Sequence, residues 1–392
     1  MTENKLLKAR VRARMARTGE SYSTAHRHVV AARENSRAVP GVVTGYDGFD
    51  AYTHRHSALS ARLLTQAGCE IDEPLACGLG GGIGFMYAVF EYKQVDHPLL
   101  TIVAQHHPQP WLPTVAEHLG IGLSTQHSSS ARAALGKLEK QLTEGRPALL
   151  LVARGELPWH HDGLPEEAAD PYPVVVAGAR DDSFLVDDVP GGPQLLGADQ
   201  LAQAWSAHRK GRHELTTVAS VPSAVDLREG ARGALGLTVR HLTGPVLGNA
   251  FDVNFGFSGM EKLAAELREP RKKAGWVSRF GEPAAFAYAT TRLAECLTTA
   301  YTAPGATRPL YAKFLTRTAD LLEAPALHEA AEAVAASGAQ WEALAEQARA
   351  AAEASAGDVA PGEVFARLAE HVDAAADHER RATELIRSAV SV

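Results

Sequence analysis

His54, Arg55, His56 and Ser57 stand together just before an apolar-periodic run, Leu59, Leu63, Leu64 and Ala67. The periodicity predicts a helix over 53–67, with the polar cluster in its first turn. There the backbone N–H groups lack partners and the dipole is positive, a setting for a nucleophile or a bound anion. Two chemistries fit. Ser57 can act as nucleophile or oxyanion donor if His56 or His161 serves as its base. Alternatively, Arg55 and the helix start bind a carboxylate or phosphate while a histidine takes the proton of an amine. After the helix, Gly68 is a stop signal, and Glu73 precedes the glycine-rich run Gly78 to Phe85. Gly80, Gly81 and Gly82 predict a tight turn with close backbone approach. Without a Lys-Ser/Thr ending or a clear preceding strand, the run fits neither the P-loop nor the dinucleotide fingerprint. Glu73 either caps this turn or stands in a cleft as a general base. Trp159, His160 and His161 form a second polar and aromatic group. The close histidine pairs lack the i, i+4 helical spacing of zinc sites, so no metal centre is expected. Cys77 lies among Leu75, Ala76 and Leu79 and reads as buried and inert.

The elements that would carry these groups emerge from the same periodicities. The glycines are expected to launch a helix over 83–92. A strand at 99–104, a helix at 113–119 and a helix at 129–143 come next, the last with Ser129 or Ser130 as cap and Leu135, Leu138 and Leu142 inward. Apolar strands are expected at 148–153, 174–178, 184–186 and 215–221, with turn residues between them and a helix at 198–209, as in an antiparallel sheet read in order. From 223 onward the chain reads as helical, with periodic stretches at 258–267, 283–301, 310–322, 327–352 and 364–390. Many are rich in alanine, which favours close helix packing or a dimer face. The expected class is α+β, followed by an all-α part.

A chain of 392 residues, 45 % hydrophobic and 22 % charged, has the composition of an ordinary globular protein of two or three domains. It contains no apolar run of the roughly 18 to 20 residues that span a bilayer, and its basic start precedes no apolar core of a secretory signal. Three cysteines without CxxC spacing point to a reducing cytoplasm. The formal net charge of −7 is unevenly spread. Residues 1–40 are strongly basic and read as a helix–turn–helix-like head and linker, with helical stretches at 4–16 and 25–33. The head is expected to be a solvated arm packing on the body. Docking to a carrier protein is the next reading, and nucleic-acid binding is the least favoured.

The polar cluster and the segment after it resemble the butirosin-biosynthesis acyltransferase (BtrH-like) family. Ser57, Leu63–Leu64, Gly68, Glu73 and Gly78 to Phe85 match its opening pattern, and Gly145–Pro147, Leu157–His160, Val174–Gly178, Asn254–Gly256 and Arg308–Tyr311 extend the match. The resemblance implies a papain-like or bacteriocin-peptidase-like domain over 45–222 and a helical domain over 223–392. It also implies acyl or aminoacyl transfer from an acyl carrier protein to a small-molecule amine in specialised metabolism. No cofactor is implied beyond the carrier's phosphopantetheine arm as co-substrate; homo-oligomerisation is a further expectation. Where the family has its cysteine this chain has Arg55, and Tyr172 stands where the strand histidine is expected. The acidic position survives as Asp187 or Asp188. The catalytic candidates are therefore His56, Ser57, His161, Tyr172 and Asp187. His54, Arg55, Glu73, Gly80, Gly81, Gly82, Trp159 and His160 are the substrate-binding ones. Three readings stay open: a rebuilt serine site, non-covalent anion binding through Arg55, and a non-catalytic partner module recognising a carrier protein or pathway product.

Overall fold

The computed structural model describes residues 22, 39–91, 97–160, 171–354 and 360–390. Apart from residues 22, 39 and 40 the basic head lies outside them, as does His161. In chain order the elements begin with α1 (Arg55–Gln66), α2 (Glu73–Leu79), β1 (Met86–Phe90), β2 (Leu99–Val103), α3 (Trp111–His118), β3 (Gly122–Gln126), α4 (Ala131–Thr143) and β4 (Ala148–Ala153). Next come β5 (Pro171–Arg180), β6 (Ser183–Asp187), β7 (Gln194–Gly197), α5 (Ala198–Ala207) and β8 (Leu215–Ser220). The helices α6 (Leu227–Thr243), α7 (Gly256–Arg268), α8 (Trp276–Phe280), α9 (Pro283–Thr298), α10 (Arg308–Leu322), α11 (Ala326–Glu353) and α12 (Pro361–Val390) complete the chain.

These elements gather into two compact units whose boundaries do not follow chain order. One takes the residues up to Asp72 together with Gly120–Val225; the other takes Glu73–Leu119 together with Asp226–Val392. Residues 73–119, expected to belong with the sheet, thus cluster with the helical part.

The first unit is built on a six-stranded antiparallel sheet in the order β3-β8-β4-β5-β6-β7. The order departs from a simple read-through because the last strand, β8, inserts between β3 and β4. Alternation along the strands sends Leu150, Val152, Val174, Val176 and Val186 to one face, where Leu138 of α4 and Leu201 and Trp205 of α5 close the core. Val175 and Ala177 are equally buried. By the same alternation they point to the opposite face, and α1 packs against β5. Ser130 caps α4 by accepting from the Ala133 N–H at 3.3 Å.

In the second unit β1 and β2 form an antiparallel pair beside α2, α3 and the helices from α6 onward. The expected helix over 83–92 is corrected here: Met86–Phe90 is a strand. The helix instead precedes the glycines, as α2, and the run MYAVF, apolar and aromatic, pairs with LLTIV. Gly81 and Gly82 take positive φ, +105° and +65°. A Cβ at Gly80, Gly81 or Gly82 would overlap Trp111, His106 or Tyr311 respectively, so the turn is a packing device inside this unit. Arg308 and Glu379, both fully buried, pair at 2.8 and 3.0 Å, and Ser337 and Trp341 also donate to Glu379. Arg308 further donates to the carbonyls of Gly84 and Ala104, tying α10 and α12 to the hairpin.

Candidate active site

The site begins at the first turn of α1. His54 is its N-cap residue, extended at φ −129° and ψ 111°, and its side chain makes no capping bond to the helix backbone. Its Nδ1 instead lies 2.7 Å from Ser57 Oγ, and both residues are buried. Either atom donates according to the imidazole tautomer; when Nδ1 is the acceptor, this is base-to-nucleophile geometry. The base expected beside Ser57 was His56 or His161; His161 lies outside the described residues, and among them the ring in hydrogen-bond contact with Ser57 is that of His54. Burial, reinforced by the neighbouring Arg55 and His54 charges, holds His56 well below the usual histidine range. It is therefore a neutral imidazole at neutral pH.

Arg55 leads away from the helix toward the start of β5 and the end of β6. Its guanidinium carbon sits 3.6 Å above the centre of the Tyr172 ring. Nη1 donates to the Pro173 carbonyl and, at 3.3 Å, to Asp188 Oδ1. Tyr172 Oη donates to the same carboxylate oxygen at 2.9 Å. On the other oxygen, Asp188 Oδ2 receives Trp159 Nε1 and His160 Nε2, each at 2.8 Å. His160 Nε2 is also 3.1 Å from Tyr172 Oη. Burial alone would raise the Asp188 carboxyl, but the bond to His160, the Arg55 charge and the bond from Trp159 outweigh it and hold it below the usual range. Tyr172 is pushed the other way, chiefly by burial and by Asp188 against the pull of Arg55, so its hydroxyl stays protonated.

Asp187, expected to orient a histidine, is corrected to a structural partner of α1. Its two oxygens accept from Arg62 Nη1 at 2.9 Å each, and Tyr46 Oη donates to Oδ2 at 2.5 Å. The residue in contact with a histidine is its neighbour Asp188. Strand parity explains the exchange: Asp187 is the last residue of β6 and shares a face with Leu185, whereas Asp188 lies past the strand and turns toward Trp159 and Tyr172. Arg62 and Tyr46 escaped the sequence reading. Arg62 carried a signal, being the cation that interrupts the Leu59 to Leu64 apolar run.

The structure thus brings together His54 with Ser57, and Arg55 with Trp159, His160, Tyr172 and Asp188. Glu73 and Gly80–Gly82 belong to the second unit, where Glu73 opens α2 with a carboxylate in its first turn. His161 lies outside the described residues. No group of three or more His, Cys, Asp or Glu among those residues is arranged to hold a metal ion.

A helix whose first residue meets a sheet strand and an acid after the next strand is the layout of papain-like catalytic domains, in which thiol, imidazole and acid converge. Comparison with known families bears on the same segment. Residues 54–189 match the family described as butirosin biosynthesis protein H, N-terminal, and residues 199–386 match a domain of unknown function, DUF4872. Over residues 54–189 the chain belongs to the BtrH-like family. Its fold class is the expected one, a BtrH-like α+β domain with a helical C-terminal part. Among solved structures, a C39-like peptidase from Bacillus anthracis is similar at 14 % identity and a TM-score of 0.32, over 46 % of this chain and 98 % of that one. A search of curated proteins gave no match. No helix among the described residues is long and apolar enough to cross a membrane.

Proposed function

We propose that this BtrH-like chain is a non-covalent recognition protein of specialised metabolism, which engages an acyl carrier protein or a pathway product through the Arg55 end of its papain-like domain. The observation that carries this reading is the position of the Arg55 guanidinium, 3.6 Å over Tyr172 and paired with buried Asp188. Thiolate chemistry needs a low-pKa cysteine at this helix start. Here the position holds a permanent cation, while Cys69, Cys77 and Cys296 are buried, and burial pushes the Cys69 thiol up to about 11. A guanidinium held by an aromatic face and a carboxylate is suited to grip a phosphate or carboxylate, as on a phosphopantetheine arm.

The 2.7 Å contact between His54 and Ser57 favours a second reading, transfer of an acyl group from a carrier-protein thioester to an amine. Ser57 Oγ would attack the thioester carbonyl and pass its proton to His54, which returns it to the departing thiol. The amine would then attack the ester carbonyl and give its proton to His54, which passes it to Ser57 Oγ as that oxygen leaves, forming the amide. Burial of both residues disfavours this route, since the nucleophile must meet the thioester.

Intact-protein mass spectrometry after mixing the chain with acyl-pantetheine and acyl-carrier thioesters separates the two. The recognition reading expects no adduct, thioester loss equal to the blank, and carrier binding that weakens at least tenfold in a folded Arg55→Gln variant. An adduct within 53–57 that disappears in Ser57→Ala would overturn it in favour of the serine route.

A further inference from the structure

In the second unit two imidazoles are buried against each other. The rings of His106 and His241 have centroids 4.1 Å apart, and neither residue exposes more than 5 % of its surface. Neither ring nitrogen of His106 has a hydrogen-bond partner among the described residues. His241 Nε2 is 3.2 Å from Gln109 Oε1. The His106 ring fills the space above Gly81, where a Cβ would overlap it, and the His106 backbone N–H donates to the Gly82 carbonyl at 3.2 Å.

Among the described residues, the surroundings supply no counter-charge. From α3 come Trp111, edge-on to His106 at 6.1 Å, and His118, whose Nδ1 pairs with the Leu79 carbonyl at 2.8 Å. Thr238 and Arg240 of α6 flank His241, and Thr238 donates to the Gly81 carbonyl at 2.9 Å. His107 follows His106 in its own loop and stacks on Phe255. Tyr311 of α10 packs on Gly82. The titratable side chains that act on the two rings, among the described residues, are the basic His107, His118 and Arg240 besides the pair itself.

We propose that the His106–His241 pair is an acid-sensitive latch: neutral, it seats the glycine-rich turn on α3 and α6, and protonation of the pair releases that turn. Two imidazolium ions with their centroids this close and both buried, with no acid beside them among the described residues, repel each other and lose their hydration. Protons therefore bind the opened state in preference to the closed one. Accordingly, burial and the neighbouring histidines hold His106 down to about 3, and burial with His107 and Arg240 holds His241 down to about 4. Between those values and the ordinary histidine range the latch takes up two protons on opening. The opening constant then rises about a hundredfold for each unit of pH lost.

Hydrogen exchange of the full chain between pH 6.0 and 5.0, corrected for intrinsic exchange rates, measures this slope. Peptides covering 77–86 and 104–118 are expected to open with a slope near two protons, while 174–186 in the sheet stays flat. His106→Phe keeps a ring over Gly81 and is expected to reduce the slope to about one proton. His241→Gln has the same expected effect and decides the matter if His106→Phe does not fold. A wild-type slope near zero, or a slope unchanged in the folded variant, overturns the latch.

Discussion

Each unit buries a cluster of titratable side chains, and the two clusters are finished in opposite ways. Around Asp188 four donors, from Arg55, Trp159, His160 and Tyr172, converge on one carboxylate. Around His106 the ring nitrogens have no partner among the described residues, and the nearest ionisable ring is another histidine. A buried ion that is fully hydrogen-bonded resists disturbance, whereas a buried base without an acceptor is stable only while neutral. Burial therefore makes one cluster an anchor and the other a point of weakness to acid.

The largest expected effect comes from removing the anchor's hub. Asp188→Ala leaves the Arg55 charge without its buried partner and should cost about 3 to 5 kcal/mol, read as a lowered urea midpoint. A variant as stable as wild type would erase the contrast. Next in size is the response to acid. His106 and His241 are held below their unfolded value of 6.5, so the unfolded state binds more protons as pH falls below that value. Stability should drop by about 2 kcal/mol per histidine between pH 7 and pH 5, a loss that thermal unfolding of His106→Phe should show halved. Asp188 has the same sign in a lower window. Its folded carboxyl is depressed below 3.8, so its contribution is present above that value and is lost as pH falls through the folded pKa. Tyr172→Phe keeps the ring under Arg55 but removes the hydroxyl from Asp188, and about 1.5 to 3 kcal/mol should be lost in the same urea assay. The smallest effect belongs to Ser130→Ala, which touches neither cluster and should cost about 1 kcal/mol through the lost cap of α4. If Tyr172→Phe costs no more than this, the hydroxyl is not part of the anchor.

Period and punctuation exposed much of this fold in the sequence. The α1 helix, the strands β4, β5, β6 and β8 and the late helices were legible because their burial is one-sided or their apolar runs are bounded by turn residues. The 83–92 segment was misread because a short apolar run after glycines suits a helix as well as a strand, and only pairing with Leu99–Val103 decides. The strands β3 and β7 are short and half-exposed, and α6, with Gly230, Gly233, Gly236 and Thr238 along it, offers weak propensity. At the site, the cluster at the start of α1 was visible as a local group. What joined it to Asp188 was not, because a partner 133 residues away is chosen by sheet register and by the turn after β6. His54, rather than His56, faces Ser57 because an extended N-cap residue directs its side chain toward the N3 position of the first turn, whereas residues adjacent on a helix point to different sides.

The boundaries of the two units also bear on how the chain is made. The path crosses between units three times, after Asp72, Leu119 and Val225. Synthesis therefore delivers α2, the β1–β2 pair and α3 long before their helical neighbours. Phe314, which lies against Gly78, emerges more than 200 residues later. At about 5 to 20 residues per second, the hairpin and its glycine turn wait on the order of ten seconds or more for the helices that cover them. During that interval the sheet of the first unit can finish, since β8 ends at Ser220. Vectorial synthesis thus imposes an order on assembly, sheet before bundle. A fragment ending at residue 222 would strand the inserted segment permanently without its cover.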